Sequence, residues 1–250
     1  MDSRRPQAAT PFLTTRWSVV AAAGKPDTPT ARAALSELCS IYWYPLYAYV
    51  RRRGHSQDDA QDLTQAFFAR LLEKNVVLAA DPTRGRFRAF LLGSLKNFLA
   101  NEWDREHAQK RGGGATPLSL DFEFADERFA AEPASPLTPE MEYERNWALA
   151  VLDRALARLE GEYARRGKQA LFATLKPALV AADDEGSRAD MARQLGMTEG
   201  SVKVALHRMR AAFRESLRSE ISDTVGTERD LDDELRNLIE ALGHRSQAPD

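Results

Sequence analysis

The chain has 250 residues, 43% hydrophobic and 29% charged, with 35 Lys and Arg against 37 Asp and Glu, for a net charge of −2. That length supports one large or two small domains, each able to bury a core, and near-neutrality excludes a globally basic nucleic-acid binder, leaving only local patches. The single cysteine, Cys39, excludes an internal disulfide and a thiolate zinc knuckle, and no window reaches the roughly 18 apolar residues of a membrane span, so a reduced, cytoplasmic setting without membrane insertion is expected.

Residues 1–30 read as an N-terminal extension in which Thr14 or Thr15 starts a short helix through Trp17, Val20 and Ala21. The run from Ala31 to Arg53 is helical in period, and Pro45 marks a kink or a fresh start within it. Five aromatics between Tyr42 and Tyr49 crowd both faces of that helix, which favours core packing over base stacking. Gly54 punctuates, Ser56 caps, and Gln57 to Lys74 forms the next helix, with Ala60, Leu63, Phe67, Leu71 and Leu72 inward. Its opposite side aligns Asp58, Asp62 and Gln65. Without a histidine or a third carboxylate beside them, that face is either solvated or a dock for a basic partner, and a metal site is not expected.

A turn at Asp81 to Arg88 leads into a third helix, Phe87 to about Arg105, with Phe90, Leu91, Leu95 and Phe98 inward and Lys96, Asn97, Asn101 and Trp103 outward. The stretch Arg84 to Arg111 holds seven basic residues against three acidic ones. Amides that read a base edge, an aromatic that stacks and cations that hold a backbone suit a single DNA strand. Residues 114–138 are Pro-rich and acidic without sustained period and read as a flexible linker, soluble or a mimic of nucleic acid.

Helical periodicity returns from Glu140 to Tyr163, and a further helix ends near Pro177. Ser187 to Leu217 reads as a helix-turn-helix. Ser187 is a plausible N-cap, Gly196 turns the chain, and Thr198 caps a second helix whose stripe Val202, Leu206, Met209, Phe213 and Leu217 faces a core. Its outer face presents Ser201, Val204, His207 and Arg208, flanked by Lys203, as a major groove would accept. Residues 219–250 form an acidic extension with Leu231, Leu235, Leu238 and Leu242 on one side of a helix that should pack on one of the two domains. No run alternates apolar and polar residues as strands do, so the expected fold is all-α, two helical domains joined by the acidic linker.

Read together, these blocks resemble a bacterial sigma-70-type RNA polymerase sigma factor of the extracytoplasmic-function group. The helix Asp58-Asp59-Ala60-Gln61-Asp62-Leu63-Thr64-Gln65-Ala66-Phe67-Phe68 is similar to the region-two helix that docks on the clamp helices of the polymerase β′ subunit, and the resemblance assigns docking to Asp58, Asp62, Gln65 and Phe68. The segment FRAFLLGSLKNFLANEWDR resembles the part that melts and reads the −10 element, which implies roles for Lys96, Asn97, Asn101, Trp103 and Arg105. EGSVKVALHRMR resembles the region-four helix that reads the −35 element, implying contacts from Thr198, Ser201, Lys203, His207 and Arg208.

Where the family has an Asp four residues after its Asn this chain has Asn101, and the stretch before the helix-turn-helix lacks the family's Leu-Pro-x-x-x-Arg signature. The implied division is a region-2-like domain over 31–113, the linker 114–138, a region-4-like domain over 139–218 and the extension 219–250. The implied partners are core polymerase, through β′ and β, promoter DNA and an anti-sigma or other regulatory protein. The rival reading is a stand-alone helix-turn-helix regulator with a ligand-sensing or dimerising second domain, which would not require the Asp58/Asp62/Gln65 face. No phosphate loop, ligand cluster or nucleophile motif is present, and His55, His107, His207 and His244 are dispersed, so neither an enzyme nor a cofactor is expected.

Overall fold

Thr138 and Pro139 start the helix on which the other elements are hung. The Thr138 hydroxyl accepts the Met141 amide hydrogen at 3.2 Å, and proline at the first helical position has no N–H to leave unpaired. A computed structural model of the chain describes residues 29–73, 86–108, 122–132, 136–179, 185–222 and 228–243. Among these, the regular structure is helical: α1 (Pro29–Arg52), α2 (Gln57–Glu73), α3 (Phe87–Ala108), α4 (Phe122–Ala131), α5 (Pro139–Arg165), α6 (Gln169–Leu175) with a 3₁₀ turn at Lys176–Leu179, α7 (Glu185–Leu195), α8 (Glu199–Ser222) and α9 (Glu228–Gly243). The helix expected near Trp17 and the turn residues 81–85 lie outside the described residues.

α5 runs through two cores. Its N-terminal half buries Tyr143, Trp147, Ala148 and Val151 among Tyr42, Leu46 and Val50 of α1, Ala60, Phe67 and Leu71 of α2, and Phe87, Leu91 and Leu95 of α3. Its C-terminal half buries Leu159 and Tyr163 with Phe172 and Leu175 of α6, Met191 and Ala192 of α7, and Val202, Leu206 and Met209 of α8. Each large apolar side chain so buried contributes about 1.5–3 kcal/mol relative to exposure, so neither core can release α5 without a large penalty. A domain boundary at residue 139 therefore falls at the start of a helix shared by both units.

Three elements depart from the sequence reading. Of the kink or fresh start expected at Pro45, the fresh start does not occur, since α1 passes through Pro45 as one helix. Proline removes a single backbone hydrogen bond, and the almost complete burial of residues 44–50 holds the helix together around the gap. Of the five aromatics there, Tyr42, Tyr44, Tyr47 and Tyr49 are buried, which makes them core.

The stretch expected to be linker contains α4. Ala125 of α4 is fully buried, and the Phe129 ring meets Tyr47 edge-on at 6.4 Å beneath the guanidinium groups of Arg51 and Arg52, at 4.8 and 4.7 Å. A helix of ten residues does not persist alone in water; here it persists because Asp126 accepts hydrogen bonds from Tyr47, Gln57 and Gln61. Finally, α7 begins at Glu185, so Ser187 lies inside the helix instead of capping it.

The tyrosines carry a pH prediction. Burial pushes Tyr42 and Tyr143 well above the ordinary value near 10, and burial together with a carboxylate acceptor does the same to Tyr44 and Tyr47. An unfolded chain loses these protons as the pH passes about 10, while the folded chain retains them. The unfolded state then binds fewer protons, and stability present below about pH 10 falls as the pH rises further. In an alkaline titration, helix loss and tyrosinate absorbance should appear together; tyrosinate growing in while the helix signal is intact would contradict this.

Candidate nucleic-acid and polymerase interfaces

α2 begins with a reciprocal cap: the Asp59 amide donates to the Ser56 hydroxyl at 3.2 Å, and that hydroxyl donates to the Asp59 carboxylate at 2.6 Å. Fixing that first turn orients the acidic face. Asp58 and Asp62 are exposed, Gln65 is half-buried, and neither aspartate forms an ion pair among the described residues. Phe68 is different. It is only 2% exposed and packs edge-on against Phe67 at 5.8 Å, so the docking role implied for it is corrected: it shapes the core under the face and offers no surface. Phe67 also meets Phe98 of α3 at 5.7 Å, and both Phe67 and Phe68 belong to the first core.

Between α2 and α3 lies a cavity of about 170 Å³ lined by Phe67, Arg70, Leu71, Ser94, Asn97, Phe98 and Asn101. The Phe67 and Phe98 rings form its floor, 5.7 Å apart. Arg70 sits 5.8 Å from the Phe98 ring and 3.9 Å from the Glu102 carboxylate. Asn97 and Asn101 are exposed, so two amides at one helical turn, aromatic walls and a guanidinium meet in one concavity. Arg70 and Ser94 were missed as site residues by sequence reasoning, because Arg70 reads as a last-turn cation of α2 and only the crossing of α2 over α3 brings it beside Asn97.

Lys96, one residue away, points elsewhere. Its ammonium group is 2.8 Å from the Glu140 carboxylate of α5, which also accepts from the Tyr49 hydroxyl at 3.3 Å. That pairing raises the Lys96 pKa and lowers that of Glu140. Lys96 is thus engaged within the chain in this structure. The side chains of Trp103 and Arg105 lie outside the described residues.

α7 and α8 are joined by residues 196–198. Gly196 has φ +62°, a left-handed conformation that costs a residue with a Cβ about 1–2 kcal/mol. The Thr198 hydroxyl then accepts the Ser201 amide hydrogen at 3.2 Å and starts α8. Val202, Leu206 and Met209 are buried and set the rotation of α8, so that Thr198, Ser201, Lys203, Val204, His207 and Arg208 all face solvent. Among the described residues, neither Lys203 nor Arg208 forms an ion pair.

Residues 44–109, from within α1 to the residue after α3, match the family model for sigma-70 region 2. The chain carries a sigma-70 region 2, which supports a sigma-70-type sigma factor. No curated protein and no solved structure gives a significant match to it. The matched span holds both the acidic face of α2 and the cavity against α3, whereas α4 to α9 fall outside it. A sigma factor acts in transcription initiation together with RNA polymerase core and promoter DNA. Among the described residues no helix is long and apolar enough to cross a membrane.

Proposed function

We propose that this protein is a sigma factor, a dissociable promoter-specificity subunit of the extracytoplasmic-function type, working in the cytoplasm. The observation that carries the reading is the coincidence of the region 2 match with an exposed carboxylate face free of ion pairs among the described residues and a cavity of amides and aromatic rings beside it. The Asp58/Asp62/Gln65 face docks on a basic surface of core polymerase. The Asn97/Asn101 cavity takes an unstacked base of the −10 element, whose edge the amides read while Phe67 or Phe98 packs on its plane. Binding the opened strand in preference to the duplex is itself the driving force for melting. α8 enters the major groove at the −35 element, Arg208 suiting a guanine edge and Lys203 a phosphate. The polymerase supplies the catalysis.

The test is capture of purified core polymerase by the Asp62→Arg variant. Binding should be lost while the thermal midpoint stays put, since an exposed substitution of this kind usually shifts stability by no more than about 0.5 kcal/mol. Capture equal to wild type would sink the docking assignment.

A further inference from the structure

Among the described residues two large hydrophobic side chains are exposed, Ile239 of α9 at 68% and Val204 of α8 at 50%. Val204 is turned outward by its neighbours. Val202 and Leu206, each two residues away and so about 200° round the helix, are buried, which points residue 204 away from the second core. Valine is a poorer helix former than alanine, because its branched Cβ restricts χ1, and at an exposed helical site it gains little packing in return. Neither the helix nor the core calls for these two methyl groups.

The groups around Val204 indicate what it meets. Ser201 lies one turn before it, His207 and Arg208 one turn after it, and Lys203 beside it, all exposed. Neither Lys203 nor Arg208 is ion-paired among the described residues, so the rim of the face is cationic and unneutralised. The Thr198 and Ser201 hydroxyls lie 2.9 Å apart and are turned on one another, which leaves an apolar group at the centre of that rim. Gly200, one turn before Val204, opens the same side further. Its backbone is helical, and a Cβ there would meet nothing nearer than the Thr198 hydroxyl oxygen at 4.0 Å. The fold would therefore admit alanine, a better helix former, and the missing side chain is clearance that the packing of this chain does not itself require.

Resting on the proposed function, in which α8 enters the major groove at the −35 element, we infer that Val204 is a specificity-determining residue that receives the 5-methyl group of a thymine. Gly200 gives the clearance that lets the base edge come that close. Thymine is the one base with a methyl group on its major-groove edge, while guanine, adenine and cytosine offer hydrogen-bonding atoms without one. Against valine those polar atoms lose water and gain no partner, whereas a methyl group is buried with benefit. Val204 thus selects thymine by attraction and rejects the other bases by leaving them unsatisfied. Lys203 and Arg208 hold the duplex around this contact and do not sense a methyl group.

The experiment uses holoenzyme assembled from purified core polymerase and the full chain. Duplexes are enriched from a randomised pool with wild-type holoenzyme, and each thymine of their −35 element is then replaced singly by deoxyuridine, which removes the 5-methyl group and nothing else. One such replacement should weaken binding by wild type about fourfold, the effect of burying one methyl group. Val204→Ala should bind the unmodified duplex about fourfold more weakly and be indifferent to deoxyuridine at that position. Gly200→Ala should raise the thermal midpoint of the free protein by about 1–2 °C. The same variant should lose at least about fivefold in duplex binding, the cost of forcing a methyl group into a close contact.

Enriched duplexes that no deoxyuridine replacement weakens would overturn the thymine contact and leave the proposed function standing. A Val204→Ala variant that still senses the replacement as strongly as wild type would overturn it too. Gly200→Ala binding with wild-type affinity, or melting below wild type, would remove the clearance assigned to Gly200. A holoenzyme that enriches no duplex would defeat the proposed function, and the thymine contact with it.

Discussion

Arg88→Ala is expected to lower the stability of the chain by about 3–5 kcal/mol, the usual cost of removing one partner from a buried ion pair. Arg88 is 4% exposed, and truncating it strands the Glu234 carboxylate in a site where burial already raises its pKa despite two arginines. Arg86 remains beside Glu234 but is more than a third exposed and partly screened by solvent. Glu144 is also partly exposed and can turn to water. The loss is therefore concentrated on one carboxylate. The double variant Arg88→Met/Glu234→Met should recover most of it, because no charge is then left buried. Urea unfolding followed by circular dichroism measures both; a single-variant loss below about 1 kcal/mol would mean that the network is solvated, contrary to its burial.

Trp147→Ala should cost a comparable amount, about 3–5 kcal/mol, through the cavity left by a fully buried indole. Trp147 is 1% exposed and lies on α5 where α1, α3 and α9 converge. Its loss also removes the ring under the Arg88 guanidinium, an interaction worth about 1–2 kcal/mol when desolvated. The two substitutions share a partner, so their effects should not add. The double variant Arg88→Ala/Trp147→Ala should lose less than the sum of the singles by at least about 0.5 kcal/mol, measured as a double-mutant cycle. Strict additivity would show that ring and guanidinium do not act together.

Much of the local structure was legible in the residues. Ser56 and Thr198 as caps, Gly196 as the turn, and the stripe Val202-Leu206-Met209 follow from short-range rules that hold wherever the chain goes. The same periodicity that buries one face of a helix exposes the other, so Asp58, Asp62, Asn97, Asn101, Lys203 and Arg208 were placed outward correctly. Phe68 was misjudged because two adjacent phenylalanines cannot be told apart by period alone. Only the packing of α2 into the first core buries both.

The amino-acid sequence by itself determined an all-α fold, the caps at Ser56 and Thr198, the turn at Gly196 and the exposure of the acidic, amide and basic side chains, because these depend on interactions spanning at most about four residues. Tertiary structure alone decided that α4 exists, that α5 serves two cores, and that Arg88 and Glu234, 146 residues apart, form one network. Those outcomes rest on burial. A ten-residue acidic helix and a buried carboxylate are each unfavourable in isolation, and become stable only where a distant surface supplies the apolar contact and opposite charge they lack.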